Sequence, residues 1–315
     1  MTQRGTSQHK ASTAGHFELV IDNGSGATKP TTAYLKSVDG GYVRAGLMDE
    51  PIGPENYRIK HTSVVSIEPF ALEFGLSGAN DVLKWIQQSW RKEWSRRNGE
   101  IRHGDFDFNQ TFTHEFYDAL ITETTFPTLD GASKESAYLK LKIQPERVVS
   151  KKQDGSALQA ITGSKQKMWM PSGFRLTLDG IAGMEYTNKI DSFTIKQGVK
   201  TLYVGAERFP QIEPTKIEFP AISGTIALGY ADALLAWYDK AVVAGAADPS
   251  QQRSGSLEFL APDRSEVLFR INLYEVGIHH AQIPQSTANM DQIKRVKFEL
   301  YVGRMDIDGK GMGME

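Results

Sequence analysis

The feature that most constrains the fold is a spaced self-similarity. Phe17, Leu19 and Asp22 recur 157 positions later as Phe174, Leu176 and Asp179, and the same offset carries Tyr117 to Tyr274, Pro127 to Pro284 and Arg147 to Arg304. The tryptophans of the two helical stretches, Trp85 and Trp237, stand only 152 apart. The second copy is therefore shorter ahead of its helix and regains the difference in AGAADPSQQRSG after it. One element order, repeated with compensating loop lengths, is the trace of a duplicated domain. A chain of 315 residues is long enough for two domains of roughly 150, each burying its own core.

Hydrophobic residues at 40% and charged residues at 23% place the chain with ordinary globular proteins. A net charge of -2 offers no electrostatic footing for nucleic acid or an anionic membrane. With no cysteine, disulfides and thiolate-metal sites are excluded. The opening MTQRGTSQHKASTAGH lacks the apolar core of a secretory signal, and no apolar run approaches the ~20 residues that span a bilayer. Assembly in the cytosol is the expectation.

Along the chain, residues 1–15 read as a mobile tail. FELVID (17–22) alternates as a half-buried strand does, a second strand is expected over 31–38, and DGG at 39–41 turns the chain. A long excursion leads to Tyr57, then strands over 58–66 and 70–76. A helix is expected over 80–97, where Val82, Ile86 and Trp90 recur every four residues and Leu83 and Trp94 widen the stripe. Asn80 or Asp81 can cap its start. Arg91, Lys92, Arg96 and Arg97 read as a solvated cationic end that complements the helix dipole. Strands are expected near 105–112, 115–124 and 137–149, the last being the alternating AYLKLKIQPERVV.

Residues 150–173, rich in Lys, Ser, Gly and Gln, read as a linker, with MWM at 168–170 packing on a domain surface. The second copy then repeats the order: FRLTLDG, an excursion over 191–214, SGTIALGY, a helix over 231–244 with Leu234, Trp237, Tyr238 and Val242 facing inward, and strands over 256–260, 266–275 and 294–306. The expected architecture is mainly β (α+β). Two similar antiparallel barrel or sandwich domains, 16–149 and 174–307, each carry one helix on the side, after the fourth strand. Residues 308–315 form a flexible tail.

Four local motifs suggest chemistry. IDNGSGATK (21–29) resembles the first phosphate loop of actin-like and sugar-kinase ATPases, whose glycines admit a phosphate. The second copy has LDGIAGMEY there, which loses Ser25 and Lys29, and a hairpin turn is the simpler account. DIDGKG (306–311) opens like a calcium loop, but the twelfth position lies beyond Glu315. His279 and His280 would point to opposite faces of a strand. Asp105 and Asp107 would share a strand face but lack an opposing acid across a cleft, so exposed loop acids are expected. No motif specifies an enzyme, and no catalytic, cofactor-binding or metal residue is assigned.

Taken together, FALEFGLSGANDVLKWIQQ (70–88), NGEIRHGDFDFNQTFTHEFYDALIT and FPTLDGASKESAYLKLKIQPERV (98–148) resemble the tail tube proteins of contractile phage tails and bacterial contractile injection systems. The resemblance covers residues 17–149 and, more faintly, 174–307. Members of that family form sixfold rings from single domains, so a tandem form implies three chains in a pseudo-sixfold ring. Such a ring either repeats along the inner tube or sits once at the tube-to-baseplate hub junction. Implied partners are the chain itself as a homotrimer, neighbouring tube rings, and baseplate, spike or sheath proteins. Specific nucleic-acid binding, membrane insertion and a cofactor are not implied. The resemblance also implies assembly in the bacterial cytoplasm and residence in a virion tail or injection particle.

The two excursions are too long for simple turns, and loops of that length are usually functional. Tyr42, Val43, Leu47, Tyr203, Val204 and Phe209 are the candidate contacts to a neighbouring subunit or ring. A non-catalytic tandem carbohydrate-binding or adhesion protein and, from the 22–29 loop, an actin-like ATPase are the alternatives.

Overall fold

A computed structural model describes residues 15–22, 31–54, 57–76, 79–153, 155–158, 169–205, 207–246, 248–284 and 293–308. The first half contains β1 (His16–Ile21), β2 (Thr31–Asp39), β3 (Val43–Pro51), β4 (Arg58–Ile67), β5 (Phe70–Phe74), α1 (Asn80–Trp90), β6 (Arg97–Gly104), β7 (Gln110–Phe126), β8 (Leu129–Asp130), β9 (Leu139–Gln144) and β10 (Arg147–Lys152). The second contains β11 (Phe174–Leu178), β12 (Thr187–Ile190), β13 (Phe193–Leu202), β14 (Gln211–Glu218), β15 (Ile222–Ala227), α2 (Asp232–Tyr238), β16 (Arg253–Leu260), β17 (Val267–Gln282) and β18 (Arg295–Asp308).

Alternation along the strands builds the first barrel. In β5, Phe70, Leu72 and Phe74 are buried and their neighbours are not; in β9, Leu139, Leu141 and Ile143 repeat the pattern. The order β7–β6–β1–β2–β5–β9 closes because β9 pairs back onto β7, so the six strands of this ring satisfy one another. Each large apolar side chain packed inside is worth about 1.5–3 kcal/mol relative to exposure. Helix α1 closes one flank, burying Val82, Leu83, Trp85, Ile86 and Trp90.

The helix is shorter than its periodicity suggests. It ends at Trp90 without a side-chain cap at its start, where Ala79 occupies the capping position. Lys92 and Trp94 are left-handed, with φ of 62° and 49°, so Trp94 lies outside the apolar stripe. Arg91 and Lys92 are exposed, as expected of a solvated end, but the arginines also reach distant partners. Arg91 forms a two-point ion pair with Asp306 at 2.9 and 2.8 Å, and Arg96 holds Glu146 and the Ile212 carbonyl. Asp105 and Asp107 sit in a turn, not a strand: the Asp105 Oδ1 accepts the N–H groups of Asp107 and Asn109. Pro145 splits the expected 137–149 strand into β9 and β10, since proline cannot donate to the ladder. Both helices come after a fifth strand of their half, because the excursions themselves contain strands, β3 in the first and β13 in the second.

The second half has the order β11–β16–β17–β18–β15–β12–β8. It stays open between β11 and β12, whereas β1 and β2 pair. Between β11 and β12 the chain turns at Gly180 and Gly183, with φ of 77° and 94°, and buries Met184 completely. A Cβ at Gly183 would stand 2.2 Å from the Tyr230 carbonyl oxygen, so glycine is required there. Trp169, expected on a surface, is only 3% exposed and packs its ring against Phe259 and Phe269 at 5.4 and 6.1 Å. Val242, expected inward, is exposed because α2 widens into a π-helical turn over Asp239–Val243, which rotates the stripe.

The halves interlock. Strand β7 is long enough to carry four partners: β6 and β10 on its first part, β9 and β13 on its last. In return β8 adds to β12, with Leu129 opposite Ile190.

Candidate functional site

The two excursions are β-hairpins with one register. Arg44↔Ser66, Ala45↔Val65 and Leu47↔Thr62 in β3–β4 correspond to Lys196↔Glu218, Gln197↔Ile217 and Val199↔Pro214 in β13–β14. Every pair is displaced by 152, and the ladder slips at the same place, beside Gly46 and Gly198. The two hairpins are therefore equal in length.

They differ in what they touch. Strand β13 adds to the barrel edge: Phe193, Thr194, Ile195 and Lys196 stand opposite Phe126, Thr125, Thr124 and Glu123 of β7. Phe193 stacks on Phe126 with centroids 4.9 Å apart, and the Thr125 and Thr194 hydroxyls meet at 2.8 Å. Ile195 and Ile212 are consequently 2% and 1% exposed. The β3–β4 hairpin instead forms a two-stranded sheet of its own, exposed along nearly all of β3. Arg208 donates to the Ser63 carbonyl at 2.9 Å, joining it to the neighbouring hairpin.

The six candidate contacts thus fall into two groups. Tyr42, Val43 and Leu47 stand on the β3 edge and are open to solvent, Leu47 by 74%. Tyr203 and Val204 are exposed at the end of the docked hairpin, and Phe209 packs half-buried against the core. Phe193, Ile195 and Phe126, which carry the observed docking, were missed by sequence reasoning. The 152 offset, applied to FTIKQG as it was to Trp237, would have aligned them with the β3 edge.

Charge is distributed asymmetrically on matched strands. Glu18 of β1 is wholly buried opposite Arg102 of β6, 3.4 Å away. At the corresponding place Arg175 of β11 faces Glu258 of β16, which also holds Arg270. Burial raises the Glu18 pKa, and Arg102 only partly opposes it. Burial also pushes Glu258 upward, but the hydrogen bonds and charges of Arg175 and Arg270 prevail and hold it below the usual range. Near the β3 edge, His114 is 4% exposed, its Nδ1 2.8 Å from the Ser150 hydroxyl and its ring among Phe70, Phe112, His103 and Tyr42. Burial, reinforced by His103, lowers its pKa to about 4.

Of the motifs that suggested chemistry, the 21–29 loop lies outside the described residues after Asp22, whose N–H bonds the Asn98 carbonyl at 2.9 Å. Asp306 is a strand residue paired with Arg91, and positions 309–311 lie outside the described residues. His279 approaches Glu299 at 3.9 Å. Among the described residues, no group of three or more His, Asp or Glu side chains could hold a metal. What the arrangement offers is edge pairing.

No curated protein matches the chain in sequence. Solved structures of similar fold include a chain of the anti-feeding prophage (AFP) baseplate, 16% identical, covering 45% of this chain and 96% of that one, with a TM-score of 0.40. A chain of the sheath-tube complex of the extracellular contractile injection system PVC is 17% identical over 48% of this chain and 99% of that one, with a TM-score of 0.39. Hcp1 from Flavobacterium johnsoniae is 13% identical over 43% of this chain and 94% of its own, with a TM-score of 0.26. Residues 14–149, the closed barrel with its helix and exposed hairpin, match the family model of the T4-like virus tail tube protein gp19.

Proposed function

We propose that this chain is a tandem tube protein whose role is geometric: a structural component of the inner tube of a phage tail or contractile injection system. Its tube-like domains are 16–149 and 174–307, joined by 150–173, and three chains close a ring of six similar domains. The ring either repeats along the tube or forms the single hub ring at the baseplate. The observation that carries this reading is the repetition of strand pairing in the second half, combined with the family match of the first. Neighbouring rings, sheath and baseplate or spike proteins are its partners, and it is made in the bacterial cytoplasm and ends in the particle.

A glycan-binding reading needs exposed aromatic platforms. Trp85, Trp90, Trp169 and Trp237 are buried, none more than 5% exposed, which leaves that reading to exposed tyrosines such as Tyr42 and Tyr203. Among the described residues, no helix is long and apolar enough to cross a membrane. Native mass spectrometry of the purified chain tests the proposal. Trimers are expected, and a monomer that binds glycans or turns over ATP refutes it.

A further inference from the structure

The single chain contains one half of a repeating interface, and it leaves the two surfaces of the other half uncovered. At its last residues β7 lies between β9 and β13. The end of β17 copies the β9 side of that arrangement: Ile121↔Ile143 and Thr124↔Leu141 become Ile278↔Leu300 and Ala281↔Phe298. Even the slip after Ile121 recurs after Ile278. On its other side, β17 pairs with β16 only as far as Val276, and among the described residues no strand covers Gly277 to Gln282 on that side. Strand β3, the counterpart of β13, has β4 on one side and, among the described residues, no strand on the other.

We propose that β3 of one chain pairs antiparallel with the end of β17 in the next copy of the chain. Val43 and Arg44 then lie opposite Ala281 and His280, and Tyr42, just ahead of β3, lies opposite Gln282. This rests on the ring reading and supplies its register. The register is that of Phe193, Thr194, Ile195 and Lys196 on β7, shifted by 152 on one strand and 157 on the other.

Exposure marks the same surfaces. Phe126 and Ile195 are 0% and 2% exposed in the docked copy, and their counterparts Ile283 and Val43 are 52% and 44% exposed. An open edge carrying apolar side chains is one that natural proteins cover. The helices repeat the contrast. Trp90 packs against Phe126 and Phe219, and Arg91 pairs with Asp306, so α1 meets the second half. Their counterparts on the helical extension of α2, Val242 and Val243, are exposed, Val243 by 70%. Repeating the α1 contact between chains places Val243 on the next chain's β10, at Val149, the counterpart of Asp306. The occupant is a second copy because each uncovered surface is the counterpart of a surface this chain already binds. The contact is head-to-tail, so it closes a ring when the rotation permits.

The absence of cysteine makes cross-linking direct. The Thr125 and Thr194 hydroxyls meet at 2.8 Å, so positions 282 and 42 face each other in the copied pairing. Chains carrying Tyr42→Cys and chains carrying Gln282→Cys are mixed, oxidised and digested. Mass spectrometry is expected to find a peptide pair joining positions 42 and 282 of different chains. The Thr125→Cys/Thr194→Cys chain, which should link within itself, is the positive control. On the unsubstituted chain, hydrogen exchange should slow at residues 42–44 and 280–283 as concentration drives assembly. Trimeric rings with neither the link nor the protection overturn this register and leave the ring reading intact. A chain that stays monomeric at every concentration overturns both.

Discussion

The guanidinium of Arg147 lies 4.1 Å over the ring of Tyr117, and Arg304 repeats the contact 4.0 Å over Tyr274. Both pairs join matched strands, β10 with β7 and β18 with β17, in the same register. The residue after each tyrosine, Asp118 or Glu275, is left-handed, with φ of 51° and 54°. Two non-glycine residues forced into that conformation at matched positions mean that both long strands bend alike. Arg147→Ala and Arg304→Ala should therefore cost alike, about 0.5–2 kcal/mol each by urea unfolding, as cation–π contacts do.

Trp85 and Trp237 occupy the same place in their halves. Each is buried, and each indole N–H reaches a carbonyl past its helix, Ser95 at 2.7 Å and Gln251 at 3.0 Å. Truncation of either to alanine is expected to remove roughly 3–5 kcal/mol. A loss below about 1 kcal/mol at one site alone would contradict their equivalence.

Acid should loosen the first barrel before the carboxylates respond. Because burial depresses the His114 pKa to about 4, its neutral form belongs to the folded state. The unfolded chain binds the proton near the ordinary value of about 6.5. Stability is thus fully present above that value and falls as pH drops toward about 4. His103, also lowered by burial, acts in the same direction. Below about 4.5 the lowered carboxylates Glu73, Glu115 and Glu258 add their own loss. Denaturant midpoints measured from pH 7 to pH 4.5 should decline, and His114→Gln should flatten the decline. An unchanged slope would remove His114 from this account.

Arg102→Met should be most harmful at neutral pH. It leaves the Glu18 carboxylate buried without its cation, a loss on the order of 3–5 kcal/mol. The raised Glu18 pKa means that protonation relieves this penalty as pH falls toward 5. Thermal unfolding of the variant and the parent at pH 7 and pH 5 checks the expected narrowing of the gap.

Much of the fold was legible where alternation or helical spacing is strong: FALEF, LKLKIQ and the Val82–Ile86–Trp90 stripe all sit where their periods place them. What escaped was set by distant partners. The VRAGLMDEP segment has no buried face, and among the described residues β3 pairs with β4 alone. Helix α1 stops short of Trp94 where Arg91 is drawn to Asp306, 215 positions away. Trp169 falls in a linker-like stretch because the short MWM run is flanked by polar GSKQK and PSG, yet it completes the core beside Phe259. Loop length singled out Tyr42 and Val43 only as candidates, and the register proposed for them is copied from the pairing of β13 with β7.

Electron cryo-microscopy of the assembled protein tests the central claim most directly. A ring of three chains is expected, with six barrel-like units about an open channel and sheet pairing that alternates within and between chains. A sixfold ring of whole chains, or a monomer at every concentration, would contradict it.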